Sequence, residues 1–221
     1  MLYMIHACPQ RMWYVNNFLI PTMKAQGISE DEITVWNDTD GKGNLFSCME
    51  SFKACGEQEG GIWHLQDDVI ISRDFAEKTR KYDDGIVCGF GCLNFGPSMQ
   101  ETGRKPAMFM WYSFQCIRIP NEIAKEFTDW FYNDAVSRTQ YASQVMDRKH
   151  DDWFFREFIN EKKRDLWIQN LTPNLVDHID YLIGGTLINQ QRHLQVNRSA
   201  FFPDQDLVED LKRQLNRMKH G

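Results

Sequence analysis

The chain has 221 residues, of which 42% are apolar and 13% aromatic, and a formal net charge of −6. That length gives one domain, or one domain with a small addition, with enough apolar residues for a full core, which excludes a disordered chain. The acid excess argues against nucleic-acid binding, and no apolar run approaches the ~18 residues that a membrane-spanning helix needs, so no transmembrane segment is expected.

In chain order, "LYMIHAC" reads as a first strand that starts almost at once. The N-terminus has no basic region and no long apolar run of the kind a signal peptide carries, so a cytoplasmic location is expected. "QRMWYVNNFLIPTMKAQG" has helical spacing, with Pro21 as a kink and Gly27 as the stop. "EITVWND" is a second strand and "TDGKG" a turn. In "NLFSCMESFKACGEQ", Leu45, Cys48, Phe52 and Cys55 share one helical face. "GGIWHLQDDVIIS" reads as a third strand, and "SRDFAEKTRKY" as a short helix with Ser72 as its N-cap.

"GIVCGFG" is a fourth strand, and the glycine-rich stretch over residues 89–96 is read as a flexible connection. "PAMFMWYSFQCIRIP" is a fifth strand, long enough to bend, and "NEIAKEFTDWFYNDA" is a helix opened by Pro120. "DDWFFREFINEKKR" is a helix, "DLWIQNL" a last short strand, and "PDQDLVEDLKRQLNRMKH" a charged amphipathic helix. Alternation of strand and helix through residue 90 predicts an α/β fold with an open, mostly parallel mixed sheet flanked by helices. Ligands of such sheets bind beyond the carboxyl ends of the strands. The six cysteines, Cys8, Cys48, Cys55, Cys88, Cys92 and Cys116, contain no Cys-x-x-Cys pair. They are read as buried thiols in a reducing compartment, not as disulfides or a zinc site.

Several carboxylates stand out. Asp67 and Asp68 interrupt an apolar strand, where a charge pair is costly unless something neutralises it. Carboxylate oxygens suit Mg²⁺ or Mn²⁺, and such ions keep open positions for phosphates; the bland alternative is a solvated turn. His178 lies among Leu175, Val176 and Ile179 and reads as a metal ligand or a structural histidine. Asp151 and Asp152 open a helix, where one could cap and the other act as a general base. Asn37 and Asp38 end the second strand, where they could meet a base or ribose or simply form a turn, and Arg11 follows the first strand, where it could reach a phosphate or stand solvated on a helix. "GKG" at 41–43 is no Walker loop, and no Gly-x-Ser-x-Gly elbow occurs.

The order of these pieces resembles the nucleotide-sugar glycosyltransferases of the GT-A fold. In that family a strand ends in an acidic DxD-type motif, a later acid near a helix start is the base of inverting members, and a segment P-x-L-V-x-H-x-G-x-x-S closes the domain. Here Gln66-Asp67-Asp68 stands for the first motif, with an amide in place of its first acid. Pro173, Leu175, Val176 and His178 match the last, with Asp180 for the glycine and Thr186 loosely for the serine.

The resemblance spans residues 1–189, with 190–221 as a C-terminal extension ending in a helix packed on the domain or on a partner. It implies a metal-dependent hexosyltransferase, inverting, that uses a nucleoside-diphosphate sugar and a hydroxyl-bearing acceptor. Mn²⁺ or Mg²⁺ would be held by Asp68 and His178. Arg11, Asn37, Asp38, Gln66 and Asp67 would contact the nucleotide, and Asp151 or Asp152 would be catalytic. Trp111, Tyr112, Trp130 and Trp153 are candidates for a sugar platform or for core. The alternatives are a catalytically degenerate module that binds nucleotide or glycan and, lower, a metal-dependent nucleotidyltransferase or phosphohydrolase.

Overall fold

The computed structural model describes residues 1–90, 102–107, 114–148, 150–179 and 205–220. Strand β1 (Leu2–Ala7) leads into a helical stretch made of α1 (Met12–Tyr14), a π-helical turn over Val15–Leu19, and α2 (Ile20–Ala25). The kink expected at Pro21 takes the form of this π turn. Proline has no N–H to donate and its ring crowds the carbonyl four residues back, and a widened turn relieves both. The helix stops at Gly27 as expected, with φ of 82°. Gly27 N–H donates to Lys24 O and Ile28 N–H to Met23 O, at 2.9 and 3.2 Å, which satisfies the last carbonyls in a Schellman arrangement.

Next come β2 (Ile33–Asn37), α3 (Asn44–Gly56), β3 (Gly61–Gln66) and β4 (Val69–Ile71). The single third strand read from the sequence is thus two strands, broken at Asp67–Asp68. Then follow α4 (Phe75–Lys81), β5 (Ile86–Cys88), β6 (Gly103–Pro106) and β7 (Cys116–Pro120). The N-cap of α4 is Asp74, not Ser72; the Ser72 hydroxyl donates to the Asp74 carboxylate at 2.8 Å. Of the long fifth strand read over 106–120, the described residues place Pro106 at the end of β6, a turn at Phe114 and Gln115, and β7 at Cys116–Pro120. Residues 108–113, with Trp111 and Tyr112, lie outside the described residues, as do 91–96, Cys92, Asp180 and Thr186. The chain continues with α5 (Asn121–Asn133), α6 (Ala142–Asp147), α7 (Asp151–Lys162), β8 (Trp167–Asn170), β9 (Val176–His178) and α8 (Gln205–His220).

Seven strands form one sheet in the order β2-β1-β3-β7-β5-β8-β6. β1, β2 and β3 pair in parallel, as do β5 and β8; β7 and β6 run against their neighbours. The fold is α/β, with a mostly parallel open sheet flanked by helices. Each face has its own core. On β1 and β3, Met4 and Ile62 face the cluster that holds Leu45, Phe52, Phe127 and Phe155 of α3, α5 and α7. Tyr3, Ile5, Trp63 and Leu65 face the opposite cluster, with Tyr14, Phe18 and Phe75. Alternation along a strand sends successive side chains to opposite layers, and both layers here are apolar. Val208 and Leu211 of α8 are buried in the second cluster, so the C-terminal helix packs on the domain through that face. Cys48, Cys55, Cys88 and Cys116 are buried thiols and Cys8 is half-buried.

Candidate active site

β1, β2 and β3 end side by side, with Ala7 paired to Asn37 and His6 to Gln66. This edge gathers Cys8, Asn37, Asp38, Gln66, Asp67 and Asp68, and Arg11 reaches it from the turn after β1. Asp67 and Asp68 occupy the tight connection from β3 to β4. Asp67 turns back on β1: its Oδ2 accepts the Cys8 amide N–H and its Oδ1 accepts Arg11 Nη1, each at 2.7 Å. Asp68 Oδ2 lies 3.6 Å from Arg11 Nη2 and 3.4 Å from His178 Nδ1. The other Asp68 oxygen, Oδ1, is buried and has no hydrogen-bond partner among the described residues; the same holds for Arg11 Nε.

His178 arrives by a route not apparent in the sequence. β4 and β9 form a separate two-stranded ribbon in which Val69 pairs with His178. The Ile179 N–H donates to Asp68 O at 2.9 Å and fixes the register. The Phe90 ring stands edge-on to the imidazole at 5.6 Å. Burial pushes the Asp68 carboxyl up, but His178 and Arg11 outweigh it and hold the group well below the usual carboxylate range. Burial pushes Asp67 up too, Arg11 pulls it back, and its charged neighbour Asp68 pushes it further up.

The first turn of α7 brings the second acid pair to the same edge. Asp151 is buried. Gln66 Nε2 donates to Asp151 Oδ2 at 3.2 Å, and Gln66 Oε1 accepts Gln115 Nε2 at 2.8 Å. The side chains of Cys48 and Asn44 on α3 also hydrogen-bond the Asp151 carboxyl. Burial, followed by repulsion from Asp152, raises its pKa to about 7. Asp152 is half-buried; it accepts the Trp153 N–H at 2.8 Å, and burial raises its pKa as well. Neither acid caps the helix: the N-cap position is His150.

Asn37 and Asp38 divide their work. The Asp38 carboxylate accepts the Lys42 and Gly43 amides, both at 2.9 Å, and closes the turn before α3. Asn37 Oδ1 is buried without a partner among the described residues. Trp130 is buried among Phe127, Tyr141 and Phe158, and Trp153 packs on Tyr141 and Phe154, so both belong to the core.

One cluster beneath this edge was not foreseen. His6, Cys48 and His64 offer ligand atoms within 4.8 Å of one another, all buried. Each already has a protein partner: His6 Nε2 meets Ser47 Oγ and His64 Nε2 meets Ser51 Oγ, both at 3.0 Å, and Cys48 bonds Asp151. The arrangement is a hydrogen-bonded floor under the site. Its signal in the sequence was the alternation of His64 with Ile62 and Gln66 on one face of β3. An apolar notch lined by Tyr14, Phe18, Leu19, Thr22, Ile70, Ile71 and Leu211 includes none of these acids or histidines.

No protein-family model matches the chain, and no curated protein matches it either. Among solved structures, the chain is similar to galactosyltransferase LgtC in complex with donor and acceptor sugar analogs, at 11% identity and a TM-score of 0.43, covering 80% of this chain and 86% of that one. It is also similar to a putative glucose-1-phosphate thymidylyltransferase from Bacillus anthracis in complex with a sucrose, at 9% identity and a TM-score of 0.43, covering 87% and 93%. Likeness at this level gives neither an activity nor a correspondence of residues.

Proposed function

We propose that the chain transfers a sugar from a nucleoside-diphosphate sugar to a hydroxyl acceptor with inversion, and that it depends on a divalent cation. One observation carries the reading: a buried Asp68 has an unspent oxygen beside the imidazole of His178, at the carboxyl edge of a parallel sheet. A buried carboxylate oxygen with no donor is unfavourable unless something occupies it. A carboxylate with an imidazole fits Mn²⁺ better than Mg²⁺. Asp68 Oδ1 and His178 would hold the ion, and a bound cation would offset the charge gathering on a departing diphosphate.

The remaining roles follow from what each side chain has left to offer. Asp67 spends both oxygens on Cys8 and Arg11 and so fixes the guanidinium, whose unpartnered Nε–H is available to a phosphate oxygen. Asn37 Oδ1 can accept a hydrogen bond from a base or ribose; Asp38 shapes the turn around it. The acceptor oxygen forms a bond to the anomeric carbon as the bond to the diphosphate oxygen breaks. Its proton passes to Asp152, the more accessible acid of the pair. Asp151, buried and engaged by three side chains, anchors the pair.

The test is thermal unfolding with Mn²⁺ and UDP or GDP, followed by donor hydrolysis or transfer. Mn²⁺ with one of these nucleotides is expected to raise the melting temperature, and Asp68→Asn to abolish the rise. No rise with any nucleoside diphosphate at saturating Mn²⁺ would remove the proposal. A second reading is a binding module without turnover. It is favoured by Arg11, which already spans both acids of the β3–β4 turn. A nucleotide-dependent rise with no turnover would select it.

A further inference from the structure

Gln66 has both ends of its amide committed within the protein. Its oxygen accepts from Gln115, just before β7, and its nitrogen donates to Asp151, at the start of α7. The Gln66 backbone N–H also donates to Gln115 O at 3.3 Å, so the two glutamines are joined twice. A side chain spent in this way has little left for a ribose. It does tie the acid pair of α7 to the strand whose next two residues are Asp67 and Asp68.

We infer that Gln66 is a positioning residue: oriented by Gln115, it holds Asp151 and sets the distance between the α7 acids and the Asp67–Asp68 turn. The amide at the first position of Gln66-Asp67-Asp68 then has a physical cause. A carboxylate there would still accept from Gln115, but its other oxygen would face the Asp151 carboxylate across 3.2 Å in place of the present donor. Among the described residues, the side chains named against the Asp151 carboxyl are Gln66, Asn44 and Cys48, with the Asp152 carboxylate beside it, and none of these is a cation. The catalytic consequence rests on the transferase reading; the linkage does not.

A thermodynamic cycle tests the linkage without substrate. Melting temperatures at pH 8 are compared for the wild type, Gln66→Glu, Asp151→Asn and the double variant. The double variant exchanges amide and acid and restores a donor–acceptor pair. Asp151→Asn is expected to raise the melting temperature by about 4 °C more in the Gln66→Glu background than in the wild type. A gain no larger in that background would overturn the linkage.

Gln66→Met, close in volume and without the hydrogen bonds, tests the assignment. With Mn²⁺ saturating, its affinity for UDP and GDP is expected to stay within about threefold of wild type, while kcat for donor turnover falls about tenfold or more. A comparable loss in nucleotide affinity would return Gln66 to the nucleotide site and overturn the inference. If the wild type binds neither nucleotide, the transferase reading falls, and the cycle still decides whether Gln66 holds Asp151.

Discussion

Arg11 Nη1 lies 2.7 Å from Asp67 Oδ1, and Nη2 of the same guanidinium lies 3.6 Å from Asp68 Oδ2. One cation from the turn after β1 therefore spans both acids of the β3–β4 turn. A pair of adjacent carboxylates in an apolar segment is tolerable because the protein supplies this counter-charge from the turn that follows the neighbouring strand.

Removal of that charge should leave two buried acids facing each other. Arg11→Met keeps much of the volume and loses the charge, and is expected to cost on the order of 3 kcal/mol of stability at pH 7.5, the scale of a broken buried ion pair. Urea unfolding measures it. A loss within error of zero would show that the acids are neutralised in another way.

His178 sets the expected metal preference. If the imidazole is a ligand, His178→Gln should lower Mn²⁺ affinity about tenfold and narrow the preference for Mn²⁺ over Mg²⁺. Titration of Mn²⁺ followed by its paramagnetic resonance reads this directly. An unchanged affinity would make His178 a structural neighbour of Asp68.

The sequence showed much of the framework because local signals and tertiary packing agree there. The helix of Asn44–Gly56 buries Leu45, Cys48, Phe52 and Cys55, as its spacing requires. The break at Asp67–Asp68 was visible as a pair of charges, but its meaning was not. Nothing local says that Val69–Ile71 leaves the main sheet and pairs with Val176–His178. Arg11 and His178 were legible as candidates by type; the network among them, Cys8 and the two aspartates depends on pairings between distant segments. The roles of Gln66 and Gln115 were hidden for a further reason. An amide at a strand end looks solvent-facing until the helix that packs over it is placed.

Gly27 is a position where backbone geometry alone makes a prediction. Its φ of 82° is one that residues with a Cβ rarely adopt, and an added Cβ would meet no atom within 4 Å. Gly27→Ala should therefore cost about 1 kcal/mol through backbone strain and not through a clash. Chemical denaturation should show that loss, while Gly27→Asn should lose less, since asparagine tolerates the left-handed region better.

The site and its floor make opposing contributions to stability as pH changes. Burial lowers the His6 pKa from 6.5 to about 4 and holds His64 well below its usual value. Between those limits the unfolded chain binds more protons than the folded one, so stability falls as pH drops from 6.5 towards 4. Asp151 has the opposite sign. Its pKa rises from 3.8 to about 7, so the folded state holds the extra proton, and stability falls as pH rises through that range. Each slope is at most about 1.4 kcal/mol per pH unit. Between pH 4 and 6.5 the contribution of Asp151 opposes that of the histidines. Asp151→Asn removes the opposing slope and should unmask theirs: relative to wild type, the variant should gain on the order of 3 kcal/mol between pH 4 and 6.5. His6→Gln should shift the profile the other way. Urea unfolding of the three proteins at pH 4.5, 5.5 and 6.5 gives the slopes, and parallel profiles would mean that Asp151 is ionised throughout this range in the folded protein.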